Sequence, residues 1–90
     1  MAVTVSIPTI LRTHTGGAKR VDASGSTLAE LVADLDAHHA GIGERLVADG
    51  KLHRFVNIYV NDEDVRFSGG LQTPIGDGDE VTILPAVAGG

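Results

Sequence analysis

A single amphipathic helix between two groups of short strands most constrains the fold of this chain. Four apolar residues have the i, i+3, i+4, i+7 spacing that places them on one helix face: Leu28, Leu31, Val32 and Leu35. Thr27 and Glu30 have capping-box spacing, which predicts that the helix begins here, and Gly41 predicts where it stops. The chain has 90 residues, enough for one modest core, so this helix must bury its apolar face against the strands.

The segment before the helix predicts two strands. Residues 3–7 alternate apolar and polar side chains, as a strand with one buried face does. Pro8 cannot donate to a strand ladder, so it predicts a bulge or an unpaired edge before the strand continues through residues 10–11. Residues 14–17 end in Gly-Gly and predict a tight turn, from which residues 18–21 return as the second strand.

The segment after the helix predicts three more strands. The elements expected are a helical turn over 42–48 with Leu46 facing inward, a long strand over 52–60, a short strand over 65–67 and a last strand over 81–84. Val56, Ile58 and Val60 share one face of the long strand. Polar turns at residues 61–64 and 76–79 lead into the short strand and the last strand.

The predicted order is strand, strand, helix, strand, short strand, strand, which describes an α+β domain. A mixed sheet of four to five strands would pack on one main helix, and among such folds the β-grasp, or ubiquitin-like roll, fits best. That fold places the first and last strands side by side in parallel. We therefore expect a β-grasp domain over residues 1–84 and a flexible C-terminal tail over residues 85–90 that leaves the sheet at one end.

The last ten residues form the candidate functional segment. Val81 and Ile83 alternate with polar neighbours as in a half-buried strand, and Pro85 has no N–H with which to extend the ladder. A tail from Pro85 to Gly90 reaches on the order of 20 Å at about 3.3 Å per residue. Because Gly89 and Gly90 lack Cβ atoms, this end could enter a narrow channel and present the Gly90 carboxylate as the reactive group. Plain fraying of small terminal residues is the alternative.

The composition narrows the possible partners and chemistry. A net charge of −5 argues against nucleic acid or an anionic membrane as the main partner and favours a basic protein surface. The absence of cysteine excludes disulfides, thiolate metal sites and cysteine nucleophiles. The N-terminus lacks the basic and apolar regions of a signal peptide, and no apolar run approaches membrane-spanning length. We expect a soluble, cytoplasmic protein that is a monomer when free.

No side-chain cluster in the sequence predicts a metal, nucleotide or catalytic site. The acidic run 62–64 is typical of a solvated hairpin, and Asp77 and Asp79 lack the later ligands of a calcium loop. His38 and His39 are neighbours near the helix end, where they diverge but can interact with the helix dipole. The chain itself is therefore expected to bind no metal or cofactor and not to act as an enzyme.

Phe55, Tyr59 and Leu84 are the candidate docking residues. They are expected on the sheet face away from the helix, where an apolar patch with a polar rim would mark a partner surface. The alternative is that one or two of them complete a minor core under residues 71–75, which are expected to be irregular. Three basic residues are expected to be ordinary surface charges: Lys51, Arg54 and Arg66.

Three segments carry a resemblance to a known family: VTVSIPTILR at 3–12, FVNIYVNDEDVRF at 55–67 and GDGDEVTILPAVAGG at 76–90. Together with the predicted fold, the last segment resembles the ending of the prokaryotic sulfur carriers of the thiamine-carrier and molybdopterin-synthase small-subunit superfamily. The first two segments more narrowly resemble the actinobacterial cysteine-biosynthesis sulfur carriers. The resemblance covers the whole chain.

The resemblance implies a carrier that takes part in chemistry without being an enzyme. A ubiquitin-activating-like enzyme would use ATP to adenylate Gly90, and an unidentified sulfur donor would replace AMP to leave a thiocarboxylate. A pyridoxal-phosphate-dependent O-phosphoserine cysteine synthase would then present an aminoacrylate to that sulfur, and a zinc metalloprotease would release the new cysteine. ATP and pyridoxal phosphate belong to these partners. Val87, Ala88 and Gly89 are the tail residues that the partners would recognise.

Two other functions stay open at this point. A molybdopterin synthase small subunit would form a stable heterotetramer with a larger, pterin-binding subunit. A ubiquitin-like modifier would join Gly90 to a lysine through an isopeptide bond, whereas a passive binding module would leave it unmodified. Lysine conjugates or a co-purified pterin-binding partner would distinguish these functions from sulfur transfer.

Overall fold

The computed structural model describes residues 3–48, 50–53 and 56–85, and its strands and helices follow the predicted order with several shifts. The strands are β1 (Val3–Ser6), β2 (Arg20–Ala23), β3 (Val47–Ala48), β4 (Lys51–Leu52), β5 (Val56–Val60), β6 (Glu63–Asp64) and β7 (Glu80–Pro85). The α-helices are α1 (Leu28–His38) and α2 (Ile42–Leu46). Three 3₁₀ helices cover Thr9–Thr15, Val65–Phe67 and Gly70–Gln72.

One mixed sheet contains five of these strands, in the order β2-β1-β7-β5-β6. β1 and β7 are parallel, with Val5 opposite Val81, and every other neighbouring pair is antiparallel. The first and last strands therefore lie side by side in parallel, as predicted, and they occupy the middle of the sheet. A five-stranded mixed sheet packed on one main helix is the β-grasp architecture, so the predicted fold is confirmed.

Helix α1 covers one face of the sheet with the four predicted residues. Leu28, Leu31, Val32 and Leu35 are all buried, and the strands supply the opposing apolar side chains from alternate positions. Val56, Ile58 and Val60 of β5 belong to this core, so the predicted face of that strand is confirmed. Ile42 and Leu46 of α2 are fully buried at its edge, and the predicted inward position of Leu46 is also confirmed.

The start of α1 differs in one detail from a simple capping box. The Thr27 hydroxyl accepts a hydrogen bond from the Glu30 N–H at 3.3 Å, as expected for the N-cap. The Glu30 carboxylate, however, accepts from Ser26, at 2.9 Å from the backbone N–H and 2.7 Å from the hydroxyl. Thr27 therefore caps the helix N-terminus, and Glu30 holds Ser26 in the loop before it. Backbone hydrogen bonds from Leu28 and Ile75 also join this segment to residues 73–75.

The end of α1 comes earlier than predicted. The helix ends at His38, and the His39 N–H donates to the Leu35 carbonyl at 2.7 Å. Gly41, expected to be the stop, instead has a positive φ of 93° and is the N-cap of α2. The Asp36 carboxylate accepts from the N–H groups of Gly41 and Gly43, which links the two helices.

Two predicted strand segments are 3₁₀ helices instead. After Pro8, the chain turns rather than continuing as a strand: the Leu11 N–H donates to the Pro8 carbonyl at 2.9 Å. After β6, the Asp64 carboxylate caps the Arg66 N–H at 2.9 Å and starts a helical turn where residues 65–67 were expected to be extended. In both cases a local turn-forming hydrogen bond prevails over the apolar alternation.

The predicted returning strand and long strand are shifted or shortened. β2 covers Arg20–Ala23 rather than residues 18–21. The predicted strand over 52–60 is divided: β4 pairs with β3 in a separate hairpin, and the strand in the main sheet begins at Val56. Among the described residues, no helix is long and apolar enough to cross a membrane.

Candidate functional site

The last three residues of β7, Ile83–Pro85, form the base from which the C-terminal tail continues, and we call them the tail root. β7 is hydrogen-bonded to β1 on one side and to β5 on the other. Val81 and Ile83 are 1% and 2% exposed, and burying each such side chain stabilises the fold by roughly 1.5–3 kcal/mol. The tail root is therefore fixed to the body of the protein up to its last residue.

Pro85 is the last described residue and pairs with Val56. It lacks the N–H that would continue the ladder. Gly90, the predicted acceptor, and the predicted recognition residues Val87, Ala88 and Gly89 lie outside the described residues. Their roles, and the boundary proposed at residue 85, stay predictions.

Two of the three predicted docking residues lie on the open face of the sheet, opposite α1. Leu84 is opposite Asn57, and Tyr59 is opposite Thr82, so Leu84 and Tyr59 are diagonal neighbours, about 7–8 Å apart between Cα atoms. Leu84 is 44% exposed and Tyr59 is half-buried. Phe55 lies outside the described residues. Leu71 and Ile75 join the core on the helix side, and neither Tyr59 nor Leu84 belongs to that cluster within the described chain.

A cleft runs along the tail root on the side of β1 and β2. Its floor is formed by Ser6–Pro8 and Thr82–Leu84. Three cationic side chains line it: Arg12, Lys19 and Arg20. We call this feature the basic cleft. The Arg12 Nε donates to the Ile7 carbonyl at 3.1 Å, which holds this guanidinium at the end of β1.

Arg66 lies on the other side of the tail root and is more than the ordinary surface charge that was expected. Its guanidinium donates to the side-chain carbonyl of Asn57 and to the Val56 carbonyl, the latter at 2.9 Å. Val56 is the residue that pairs with Pro85. Arg66 therefore ties the second 3₁₀ helix to the strand beside the tail root.

The carboxylates of Glu30 and Asp79 have lowered pKa values because of hydrogen bonds. The Glu30 pKa is lowered by the Ser26 backbone N–H and then by the Ser26 hydroxyl. The Asp79 pKa is lowered by the Gly76 N–H, at 2.8 Å, and then by the Asn61 side chain, at 3.1 Å. Glu30 stabilises the start of α1 and Asp79 stabilises the turn before β7, so their role is structural.

The other side-chain clusters have the structural roles predicted from the sequence. Asn61 and Asp62 form the hairpin turn with φ angles of 51° and 71°. His38 is the last residue of α1, and its Nδ1 lies 2.9 Å from the Asp34 carbonyl. No group of three or more His, Asp or Glu side chains within the described part of the chain is placed to hold a metal ion.

Comparison with known proteins places these features in a family context. The ThiS family model matches residues 5–90. The sulfur carrier protein CysO of Mycobacterium tuberculosis is 72% identical, with all of both chains aligned. Its crystal structure, described as that of an antigen, has a TM-score of 0.92, with 94% of this chain and 99% of that chain covered. The BexX/CysO complex of Amycolatopsis orientalis contains a chain that is 68% identical, with a TM-score of 0.94 and coverage of 99% and 100%.

Proposed function

Because the chain belongs to the ThiS family, we propose that it is a sulfur carrier whose C-terminal glycine is converted to a thiocarboxylate for cysteine biosynthesis. The observation that carries the proposal is the full-length identity of 72% to a sulfur carrier protein, together with the Gly-Gly ending. On this proposal the chain is a co-substrate of partner enzymes rather than an enzyme.

The position of β7 supports this role. β7 is the central strand of the sheet, its last three residues stay paired with β5, and residues 86–90 lie between this strand and Gly90. A partner can therefore take up the tail while the folded body rests against its surface. Because Ala86, Val87 and Ala88 have small or medium side chains and two glycines follow, the segment suits a narrow channel.

Activation of Gly90 would proceed in two steps on a ubiquitin-activating-like enzyme. A carboxylate oxygen attacks the α-phosphorus of ATP and pyrophosphate leaves, which gives the chain an acyl adenylate. A sulfur donor then replaces AMP and leaves a terminal thiocarboxylate. Adenylation is needed because a carboxylate is a poor acyl donor, and the thiocarboxylate formed is a strong nucleophile near neutral pH.

The cysteine branch would use this sulfur on a pyridoxal-phosphate-dependent synthase. The thiocarboxylate sulfur adds to an aminoacrylate formed from O-phosphoserine, the resulting thioester rearranges to an amide, and a zinc metalloprotease hydrolyses that amide to free cysteine and the original Gly90 carboxylate. The pyridoxal phosphate, ATP and zinc would belong to the partners. The name of the 72% identical relative supports this branch.

Docking to these partners would use the open face of the sheet beside the tail root. Leu84 offers exposed apolar surface there, with Tyr59 next to it, and Phe55 is proposed as a third contact. The BexX/CysO complex, in which a related carrier is bound to a second protein, supports a role that depends on partner contact.

A deletion of Gly90 tests the proposal directly. We expect the deletion variant to keep its fold, measured by circular dichroism, and to lose ATP–pyrophosphate exchange with the activating enzyme of its host. Gly76→Ala is the matched control, because an added Cβ there meets no atom closer than 3.8 Å, and exchange should persist. Exchange that survived the deletion would contradict the proposal. Recovery of the wild-type chain joined to lysines, or bound to a pterin-binding subunit, would favour the alternatives.

A further inference from the structure

The charges of the chain are separated along the central strands. The net charge is −5, yet three of the seven Lys and Arg residues line the basic cleft beside the tail root. No Asp or Glu of the described residues lines that cleft. The local charge that a partner meets at the tail root is therefore opposite in sign to the charge of the whole molecule.

Strand register places the acidic residues at the other end of the same strands. Across β2, β1 and β7, Arg20 is opposite Ser6, which is opposite Thr82, toward the tail root. Two residues away, Asp22 is opposite Thr4, which is opposite Glu80. The open face thus changes from acidic to basic in the direction in which β7 runs.

The cations of the basic cleft are available for binding. Lys19 and Arg20 are exposed, and neither forms an ion pair with another residue in the described ranges. Arg12 is half-buried and is oriented by its bond to the Ile7 carbonyl. Exposed charges that have no internal partner contribute little to folding, but they act strongly on the approach of a charged surface.

We propose that the basic cleft docks on an acidic surface patch beside the tail channel of the activating enzyme. This inference rests on the proposed function, because it assumes that the tail enters such a channel. Thr82–Leu84 belong both to the floor of the cleft and to the strand that leads into the tail, so a protein that takes up the tail must also face the cleft. Complementary charges at this position would orient the carrier with its tail toward the channel.

The charges nearest to the tail root determine the sign of the electrostatic potential that a docking partner meets there. Charges are screened over about 8 Å at physiological ionic strength, so a partner at the tail root responds to Lys19 and Arg20 more than to the acidic end of the sheet. The net charge alone favours a basic partner surface, and the cleft reverses that expectation for the region that contacts the enzyme.

Two variants with the same change in net charge test the proposal. Lys19→Gln with Arg20→Gln neutralises the cleft, and Ala33→Glu with Gln72→Glu adds the same two units of negative charge at exposed positions outside it. The measurement is the KM for the carrier in ATP–pyrophosphate exchange with the host activating enzyme, at low and at high salt. Circular dichroism checks that both variants fold.

We expect the cleft variant to raise KM about tenfold at low salt with kcat unchanged, and its difference from wild type to shrink at high salt. The control variant should change KM less than about twofold, because its added charges lie outside the cleft, on α1 and the third 3₁₀ helix. If the wild-type chain supports exchange, equal effects of both variants on KM, or no effect of either, would overturn the proposal. Absence of exchange with the wild-type chain would instead overturn the proposed function.

Discussion

At the scale of single residues, Gly25 shows how closely the loop before α1 packs against the helix. A Cβ atom at this position would lie 2.5 Å from the Leu31 nitrogen and 2.9 Å from the Glu30 carbonyl carbon. Both are backbone atoms, so the helix would have to move. We expect Gly25→Ala to lower the free energy of unfolding by about 1–3 kcal/mol, measured by urea denaturation. Gly76→Ala is the control, and a loss there as large as at Gly25 would contradict this explanation.

Asp79 predicts a specific dependence of stability on pH. Its pKa is lowered in the folded state by the hydrogen bonds from Gly76 and Asn61, so the ionised form stabilises the fold above the ordinary carboxyl pKa of about 3.9. This contribution is lost as the pH falls through the lower folded-state pKa. Asp79→Asn should therefore lower the urea midpoint at pH 7, and the difference from wild type should be smaller at an acid pH below the ordinary carboxyl pKa.

Asp77→Asn is the control for this measurement. Asp77 is exposed in the same turn, and its carboxylate accepts no hydrogen bond from the described part of the chain. Its replacement should leave the midpoint nearly unchanged at both pH values. A destabilisation by Asp79→Asn that persisted in acid would show that the ionised carboxylate is not the stabilising form.

The sequence predicted which residues are buried, but it did not predict which side chains form long-range hydrogen bonds. Leu28 to Leu35 and the inward face of β5 followed from periodicity, because burial repeats with the geometry of the element. The bonds of Arg66 to Asn57 and Val56 did not follow, since those residues lie nine and ten positions apart in the sequence and meet only after the 3₁₀ helix forms. Local spacing carries no information about such contacts.

At the scale of elements, strand β7 joins the core to the tail, and its two faces have different roles. Ile83 is 2% exposed and belongs to the core, so Ile83→Ala should lower the free energy of unfolding by about 2–5 kcal/mol in a urea titration. Leu84, its neighbour, is 44% exposed on the open face, so Leu84→Ala should change stability by only about 0.5 kcal/mol while weakening partner binding. Similar losses of stability in both variants would contradict this assignment of faces.

Element types were predicted where apolar periodicity was long and were missed where a turn prevailed. Residues 10–11 and 65–67 contain apolar residues typical of strands, but hydrogen bonds to the Pro8 carbonyl and the Asp64 carboxylate close helical turns there. Both hydrogen bonds are local. Of the two, the cap by Asp64 could have been predicted from the sequence, because Asp before a short apolar segment is a common turn former. The hairpin of β3 and β4 was hidden because two-residue strands show no alternation.

At the scale of the whole molecule, the order of the strands and the helix predicted the sheet topology. The pairing register of the strands then determines which side chains surround the tail root. A single helix after a hairpin leaves few arrangements of the last strand, so the parallel pair β1 and β7 could be expected. The basic cleft could not, because Arg12, Lys19 and Arg20 come together with Thr82–Leu84 only through that long-range pairing. The net charge sums the acidic and the basic end of the sheet, so it gives no indication of the basic cleft.

The mass of the carrier purified from its own host, with fragmentation to locate any change, tests the central claim most directly. Replacement of one Gly90 oxygen by sulfur adds about 16 Da, and since oxidation of Met1 adds nearly the same mass, the modified residue must be identified. We predict a gain confined to Gly90 that is captured by thiol alkylation. An unmodified Gly90 carboxylate, even after incubation with the activating enzyme, ATP and a sulfur donor, would contradict the claim that this chain carries sulfur.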